Sequence, residues 1–520
     1  MTGSTSGRVR QTPKASRVLM QSAVTTAVFR VVNVASGLIT LPLVLASLTQ
    51  VEFGVWVVMS QTVSLLALSD LGAGNAIGRF VARSRGLDEH DEIAEVLSTA
   101  LAILLVAGVA VAGLTLVLAS RVPPLVGVDL PQQQTAAQIF LVIGLGLACQ
   151  LPLRLAYGVM VGYQLYGPHA VGKILESVLT IAGILALYAT DRLTLVPLAL
   201  LTAAVAVVSQ AVLAALAWQM TGPWSIAIGR VSAPMTSRLF GMGGSVLMMT
   251  AAGMIYTQGT GLLAGRMVGV AGAAIYGVAL TVVSNLHPLI ASIANPLSTL
   301  SSEWQARNDL DQLRRTSMTV MRLTFATSAC VAVGLIMFAE PALRIWLQGS
   351  GWSDGDFAEA GRALAIMGTA LAIGLPQIGS RSTLQGTGQH WQVSTGMLIA
   401  SVVSLALGGL AMAAGWGVTG AAIGWSAVWV IQGTVLFPPL IARYLQKPVR
   451  ELFTDAYVPG LILAAGVLLL AWTLQRIIQP ASPAGHIVVA ALSAAAAAAG
   501  LVRLGPQGWI SRLRLRLKKV

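Results

Sequence analysis

Residues 96–120 read VLSTALAILLVAGVAVAGLTLVLAS, twenty-five consecutive positions without a charged side chain. A helix rises about 1.5 Å per residue, so this run is long enough to cross a ~30 Å hydrocarbon core. Comparable runs recur along the whole chain. They give fourteen candidate spans: 18–47, 53–76, 96–120, 137–160, 168–189, 194–219, 237–264, 270–299, 317–339, 358–384, 392–414, 418–442, 454–475 and 484–504. The fold class expected is an all-α polytopic membrane protein with about 14 transmembrane helices.

The composition agrees. Of 520 residues, 56% are hydrophobic and 10% charged, with a mean hydropathy of +0.78. A soluble domain carries about 25% charged residues, so a string of three or four soluble domains is excluded. The two cysteines, Cys149 and Cys330, lie inside apolar runs and read as packing residues, which excludes a disulfide scaffold.

The net charge is +13. In a soluble protein that would point to nucleic acid; in a membrane protein its distribution decides. With the N-terminus in the cytoplasm and the spans alternating, 25 of the 32 Lys and Arg fall on the cytoplasmic side and 6 on the other. Arg30 stands alone inside span one. This is the positive-inside pattern, and it predicts cytoplasmic N- and C-termini in a cell inner membrane. The basic segment 1–17 precedes an apolar run too long for a signal peptide. The tail Arg512–Lys519 reads as an anchor at anionic lipid, with no nucleic acid partner. The longest outer loops, about 121–136 and 340–357, are too short to fold alone.

The two halves match at a fixed offset. Phe53-Gly54-Val55 aligns with Tyr276-Gly277-Val278, Gly172 and Ser177-Val178 with Gly396 and Ser401-Val402, and Val208-Ser209-Gln210 with Val430-Ile431-Gln432. The offset of 222 to 224 carries spans 1–6 onto spans 7–12. Six is even, so both halves enter the membrane in the same sense, as a parallel repeat. The expected organisation is a six-helix lobe at 18–220, a second at 221–445, two additional helices at 446–505, and a basic tail at 506–520. Two such bundles enclose a central cavity that can open to either side.

Charges inside spans are costly, about 2.5–3.5 kcal/mol each at a helix centre. Arg30 sits well inside span one, with Asn33 one turn on. It reads either as a cavity cation that meets an anionic substrate or as the partner of a carboxylate such as Glu176. Lys173 and Glu176 lie at i, i+3, placed to pair with each other or to line the inner mouth. Asp70 ends span two in a glycine-rich segment. Span seven supplies Gln258, and span eight supplies Asn285, His287 and Pro288. Arg30, Asn33, Lys173, Gln258 and Asn285 are the candidate substrate-binding set; Asp70, Glu176 and His287 are candidates for coupling or gating. Gln210 and Gln432 are expected to bond between helices.

Other patterns carry no chemistry. Gly167-Pro-His-Ala-Val-Gly172-Lys173-Ile174 fits a phosphate-loop spacing, but Ile174 replaces the hydroxyl that would bind Mg²⁺. The five histidines are scattered, without metal-ligand spacing. No catalytic residue, metal site or bound cofactor is expected.

Residues 41–86 contain Phe53-Gly54-Val55-Trp56, Asp70-Leu71-Gly72-Ala73-Gly74-Asn75 and Arg79. This stretch resembles the polysaccharide (Wzx-type, O-unit) flippases of the multidrug/oligosaccharidyl-lipid/polysaccharide (MOP) exporter superfamily. The polar glycine-containing turns at 162–172 and 386–396 are similar to that family as well. The resemblance implies a two-lobe core of twelve helices, often with two more. It also implies a cationic cavity and translocation of polyprenyl-pyrophosphate-linked oligosaccharide by alternating access coupled to H⁺ or Na⁺. Expected partners are that lipid-linked glycan, membrane lipids and polysaccharide assembly proteins. A lipid II flippase and a drug or cation exporter of the same superfamily are alternatives, as is a membrane polysaccharide polymerase or glycosyltransferase. An exporter of cations would want a carboxylate deep in span one, where Arg30 stands; an enzyme would want larger outer loops.

Overall fold

The computed structural model describes residues 13–70, 72–294, 297–478 and 483–504. Arg8, Arg10 and the anchor expected at Arg512–Lys519 lie outside the described residues. The first half comprises α1 Pro13–Ser47, α2 Gln50–Leu66, α3 Ala73–Gly86, α4 His90–Leu118, α5 Val122–Leu125, α6 Leu130–Leu153, α7 Leu155–Gly162, α8 Tyr166–Ala189 and α9 Leu195–Thr221. The second comprises α10 Ala233–Met254, α11 Thr260–Met267, α12 Val270–Ala291, α13 Leu297–Ala306, α14 Leu310–Trp346, α15 Asp354–Gly374, α16 Pro376–Gly386, α17 His390–Ala411, α18 Gly417–Ile431 and α19 Phe437–Leu445. The chain continues through α20 Val449–Ile478 and α21 Pro483–Leu504, and no strand occurs among the described residues.

Twelve helical stretches among the described residues are long and apolar enough to cross a membrane. One of them, His390–Leu445, is two crossings. Gly415 and Gly417 there take φ of +85° and +53°, which side chains with a Cβ resist, and the chain doubles back. The Ser404 hydroxyl of α17 then donates to the Gly424 carbonyl of α18. The span expected at 237–264 is α10 and α11, joined through a π-turn at Ile255–Gly259. These two features reconcile twelve stretches with fourteen crossings.

The helix pairs that pack together recur between the halves. α1 packs on α8 as α10 does on α17, and α2 on α6 as α12 does on α15. α4 meets α6 as α14 meets α15, α6 meets α9 as α15 meets α18, and α8 meets α9 as α17 meets α18. α20 and α21 pack on α14 and on each other.

The repeated triplets have a physical reason. Gly54 of α2 lies against the Val270 carbonyl of α12, and Gly277 of α12 lies against Val57 of α2. The two glycines let the repeat-related helices touch. Four further positions follow the repeat. A Cβ on Gly158 would come within 3.1 Å of the Gly74 carbonyl, and one on Gly162 within 3.1 Å of the Gly78 carbonyl. An offset of 224 turns this α3–α7 crossing into Ser298, Ser302, Ser382 and Gly386 of α13 and α16. There the Ser302 hydroxyl donates to the Gly386 carbonyl at 2.5 Å. Small residues four apart on both helices bring the backbones together.

Burial along α12 is uneven. Gly272–Ala279 of α12 is buried throughout, whereas none of Ser284–Leu289 is. Ala67–Asp70, at the matching end of α2, is not buried either. The connector between the halves straps this end: Ala227 and Ser232 donate backbone N–H groups to the Ser98 and Thr99 hydroxyls, each at 3.1 Å. Arg230 pairs with Asp91 at 3.0 Å and Arg238 with Glu92 at 3.2 Å.

Candidate functional site

The polar residues singled out in the sequence fall into two groups, one in each half, with α1 between them. In the first half, span four breaks at Arg154, where α6 ends and α7 begins. The break turns the Arg154 guanidinium onto Asp70, at 2.9 Å. Gly72, two residues on, takes φ of +70° to start α3, a conformation glycine adopts without strain; Leu71 lies outside the described residues. On α8, Lys173 holds Glu176 at 2.6 Å. The His169 ring lies 4.9 Å from that of Tyr157. Both carboxylates therefore have a cation of their own, and the cluster carries no net charge from these four groups.

Arg30 of α1 crosses to the second half and donates to the Pro288 carbonyl at 2.6 Å. This contact lies near the C-terminal end of α12, where helix carbonyls favour a cation. Of the two roles expected for Arg30, the pair with Glu176 is not formed, since Glu176 is held by Lys173. Asn33 is exposed. Gly37 faces the Asn285 amide, which donates to the Thr281 carbonyl at 3.0 Å. Arg30 and Asn285 thus share the α1–α12 contact. Gln258 is half-buried in the π-turn and sits away from that pair in sequence. Gln210 and Gln432 make no side-chain hydrogen bond among the described residues, so the interhelical bond expected of them is absent; Gln432 instead opens a second π-turn, Gln432–Leu436.

His287 packs on Trp429 at 5.0 Å between ring centres. Tyr256, Trp425 and Trp429 complete an aromatic cluster with centroids 5.8 to 6.3 Å apart. The His287 Nε2, Trp425 Nε1 and Trp429 Nε1 atoms are buried without hydrogen-bond partners. Unpaired buried polar atoms are costly, so this wall is suited to receive water or a polar ligand.

The residue that the sequence reading missed is Arg381. It counted only as a basic residue at the cytoplasmic end of span ten. Pro376 restarts that span as α16 after the break at Leu375. Gln377, Arg381 and Gln385 then follow at intervals of four, a spacing that keeps them near one helix side. Gln377 donates to the Tyr457 hydroxyl at 3.0 Å and Gln385 reaches the Met249 sulfur at 3.0 Å. Arg381 rests on the Met397 sulfur at 3.6 Å. The visible signal was this four-residue polar periodicity inside an apolar span.

The comparisons with known proteins agree with this architecture. A family model described as polysaccharide biosynthesis protein matches residues 44–355. No curated protein sequence matches. Among solved structures, the inward-facing conformation of a multidrug resistance MATE family transporter of the MOP superfamily aligns at 15% identity and a TM-score of 0.72, over 82% of this chain and 98% of that one. The lipid II flippase MurJ, in an inward closed conformation, aligns at 14% identity and a TM-score of 0.63, over 91% of this chain and 98% of that one. The outward-facing conformation of a multidrug resistance MATE family transporter aligns at 15% identity and a TM-score of 0.56, over 82% and 95%. The fold is the one these MATE and MurJ structures share.

Proposed function

The chain belongs to the polysaccharide biosynthesis protein family, and from that premise we propose that it is a flippase for lipid-linked glycan. It moves polyprenyl-pyrophosphate-linked oligosaccharide from the cytoplasmic to the outer leaflet for cell-surface polysaccharide synthesis. The observation that carries this reading is the charge of the interior. Arg30 and Arg381 present guanidinium groups that no carboxylate neutralises among the described residues. Guanidinium groups match phosphate oxygens in both charge and geometry. A pyrophosphate with a polar glycan fits between such walls, while the polyprenyl chain stays in lipid.

The drug or cation exporter is the weaker reading, because Asp70 and Glu176 are already paired and leave no free carboxylate for a cationic cargo. Lipid II is chemically close to the proposed substrate and differs in the glycan alone. In our reading the chain works by rocking one six-helix half, 18–220, against the other, 221–445. A gradient of H⁺ or Na⁺ drives the cycle, with Asp70, Glu176 and His287 as the groups that could sense the ion.

Depletion of the protein in its host tests this. Polyprenyl-linked oligosaccharide should accumulate on the cytoplasmic leaflet while its synthesis continues. Normal surface polysaccharide with no accumulation would refute the assignment.

A further inference from the structure

We propose that Arg381 is the residue that grips the pyrophosphate, so that the phosphate end of the substrate is held by the second half and not by the first. This rests on the flippase reading and specifies its binding site. Four observations lead to it. Arg381 forms no salt bridge among the described residues. Among the described residues the one acceptor it touches is the Met397 thioether, among the weakest acceptors in a protein. A part-buried guanidinium without a counter-charge is expensive unless water or an anion meets it. Its helix neighbours one turn to either side, Gln377 and Gln385, are uncharged and bond elsewhere, to Tyr457 and Met249.

The repeat sharpens the point. An offset of 224 carries Tyr157 onto Arg381 and Lys173 onto Met397. Both halves therefore place one cation at this layer, on opposite members of the same helix pair. In the first half the cation is Lys173, and Glu176 cancels it at 2.6 Å; position 400, where the repeat would put that carboxylate, is Ala. The second half has kept the cation and lacks its counter-charge. Arg30 of α1 supplies a second guanidinium to this half, on the Pro288 carbonyl of α12. Two phosphates in one headgroup need two such groups; a monophosphate needs one.

The test is binding by the full chain in lipid nanodiscs, read as thermal stabilisation and affinity. The probes are polyprenyl pyrophosphate, polyprenyl monophosphate and uncharged polyprenol of equal length. The parent should prefer the pyrophosphate. Arg381→Gln should weaken pyrophosphate binding at least roughly tenfold, as expected for loss of a bidentate charged pair, and should erase the preference over monophosphate. Polyprenol binding should not change. The double change Glu303→Gln with Arg307→Gln, an exposed ion pair with no part in the site, should leave all three affinities within about twofold.

A transplant guards against a folding artefact. Arg381→Tyr should lose the preference, and adding Met397→Lys should restore part of it, because the second half then carries the first half's residues without Glu176. Retention of the full pyrophosphate preference in Arg381→Gln, or failure of Met397→Lys to restore any of it, would overturn the Arg381 assignment while leaving the flippase reading intact. A parent that binds pyrophosphate no better than polyprenol would overturn both.

Discussion

The first half of the molecule balances its interior charges and the second does not. Asp70 with Arg154, and Lys173 with Glu176, are two ion pairs built between or within the first half's own helices. At the same layer the second half sets Arg381 against a thioether. The two halves share their helix pairing and their small-residue crossings, so the backbone repeat does not dictate this difference. The lesson is that a repeat fixes where side chains can meet, while function is written in which repeat positions have lost their partners.

The largest effect is expected where the halves touch. A Cβ on Gly54 would fall inside the Val270 backbone carbonyl, whereas one on Gly277 meets a Val57 methyl at 2.7 Å. Backbone cannot step aside and a side chain can. Gly54→Ala should therefore abolish export and cost on the order of 1–3 kcal/mol, the usual range for overpacking. Gly277→Ala should do markedly less on both counts. Export assayed in cells, with thermal stability of the purified variants, checks this; equal effects would mean that the two faces of the crossing are equivalent after all.

Next in size is the contrast between paired and unpaired charge. Asp70→Asn strands Arg154, and the site is about a quarter exposed. Stability should fall by about 1–2 kcal/mol, less than for a fully buried pair, and Arg154→Gln in the same chain should recover most of it. Arg381→Gln should leave stability unchanged or raised, because it removes a cation without a counter-charge, yet reduce export strongly. A double-mutant cycle at the first site and single melting curves at the second are sufficient. A large loss of stability in Arg381→Gln would make the two halves alike.

The smallest effect belongs to the strap. Arg238 is half exposed, pairs with Glu92 and lies 5.8 Å from the Phe80 ring centre. Arg238→Ala should cost under about 1 kcal/mol, as exposed pairs do, and should slow export mildly, since α10 is tied to α4 by other bonds as well. Initial export rates would show it. Complete loss of export would make the strap part of the moving machinery.

Much of the fold was legible because lipid leaves a plain record. Apolar runs gave the crossings, and the Gly54 and Gly277 triplets stood out because close helix contact tolerates no side chain there. The site was harder to read. Arg30 was visible because it interrupts an apolar run near its middle, but its partner, the Pro288 carbonyl, is backbone and leaves no mark in composition. Arg381 was hidden by its position near a span end, where an arginine usually reaches the interface. Its burial depends on the break at Pro376 and on the α13–α16 crossing, which bring α16 inside. The crossing residues Ser298, Ser302, Ser382 and Gly386 escaped notice because serine replaces glycine at three of the four positions.

The central claim, that this chain flips a lipid-linked anionic glycan, has one direct measurement. Purified protein is reconstituted into liposomes that contain a fluorescent polyprenyl-pyrophosphate oligosaccharide, and an impermeant quencher reports the leaflet in which each molecule resides. The account predicts protein-dependent exchange between leaflets without ATP, lost in Arg381→Gln and kept in the Glu303→Gln, Arg307→Gln pair. Exchange no faster than in protein-free liposomes, with the same preparation moving an organic cation down a proton or sodium gradient, would contradict it.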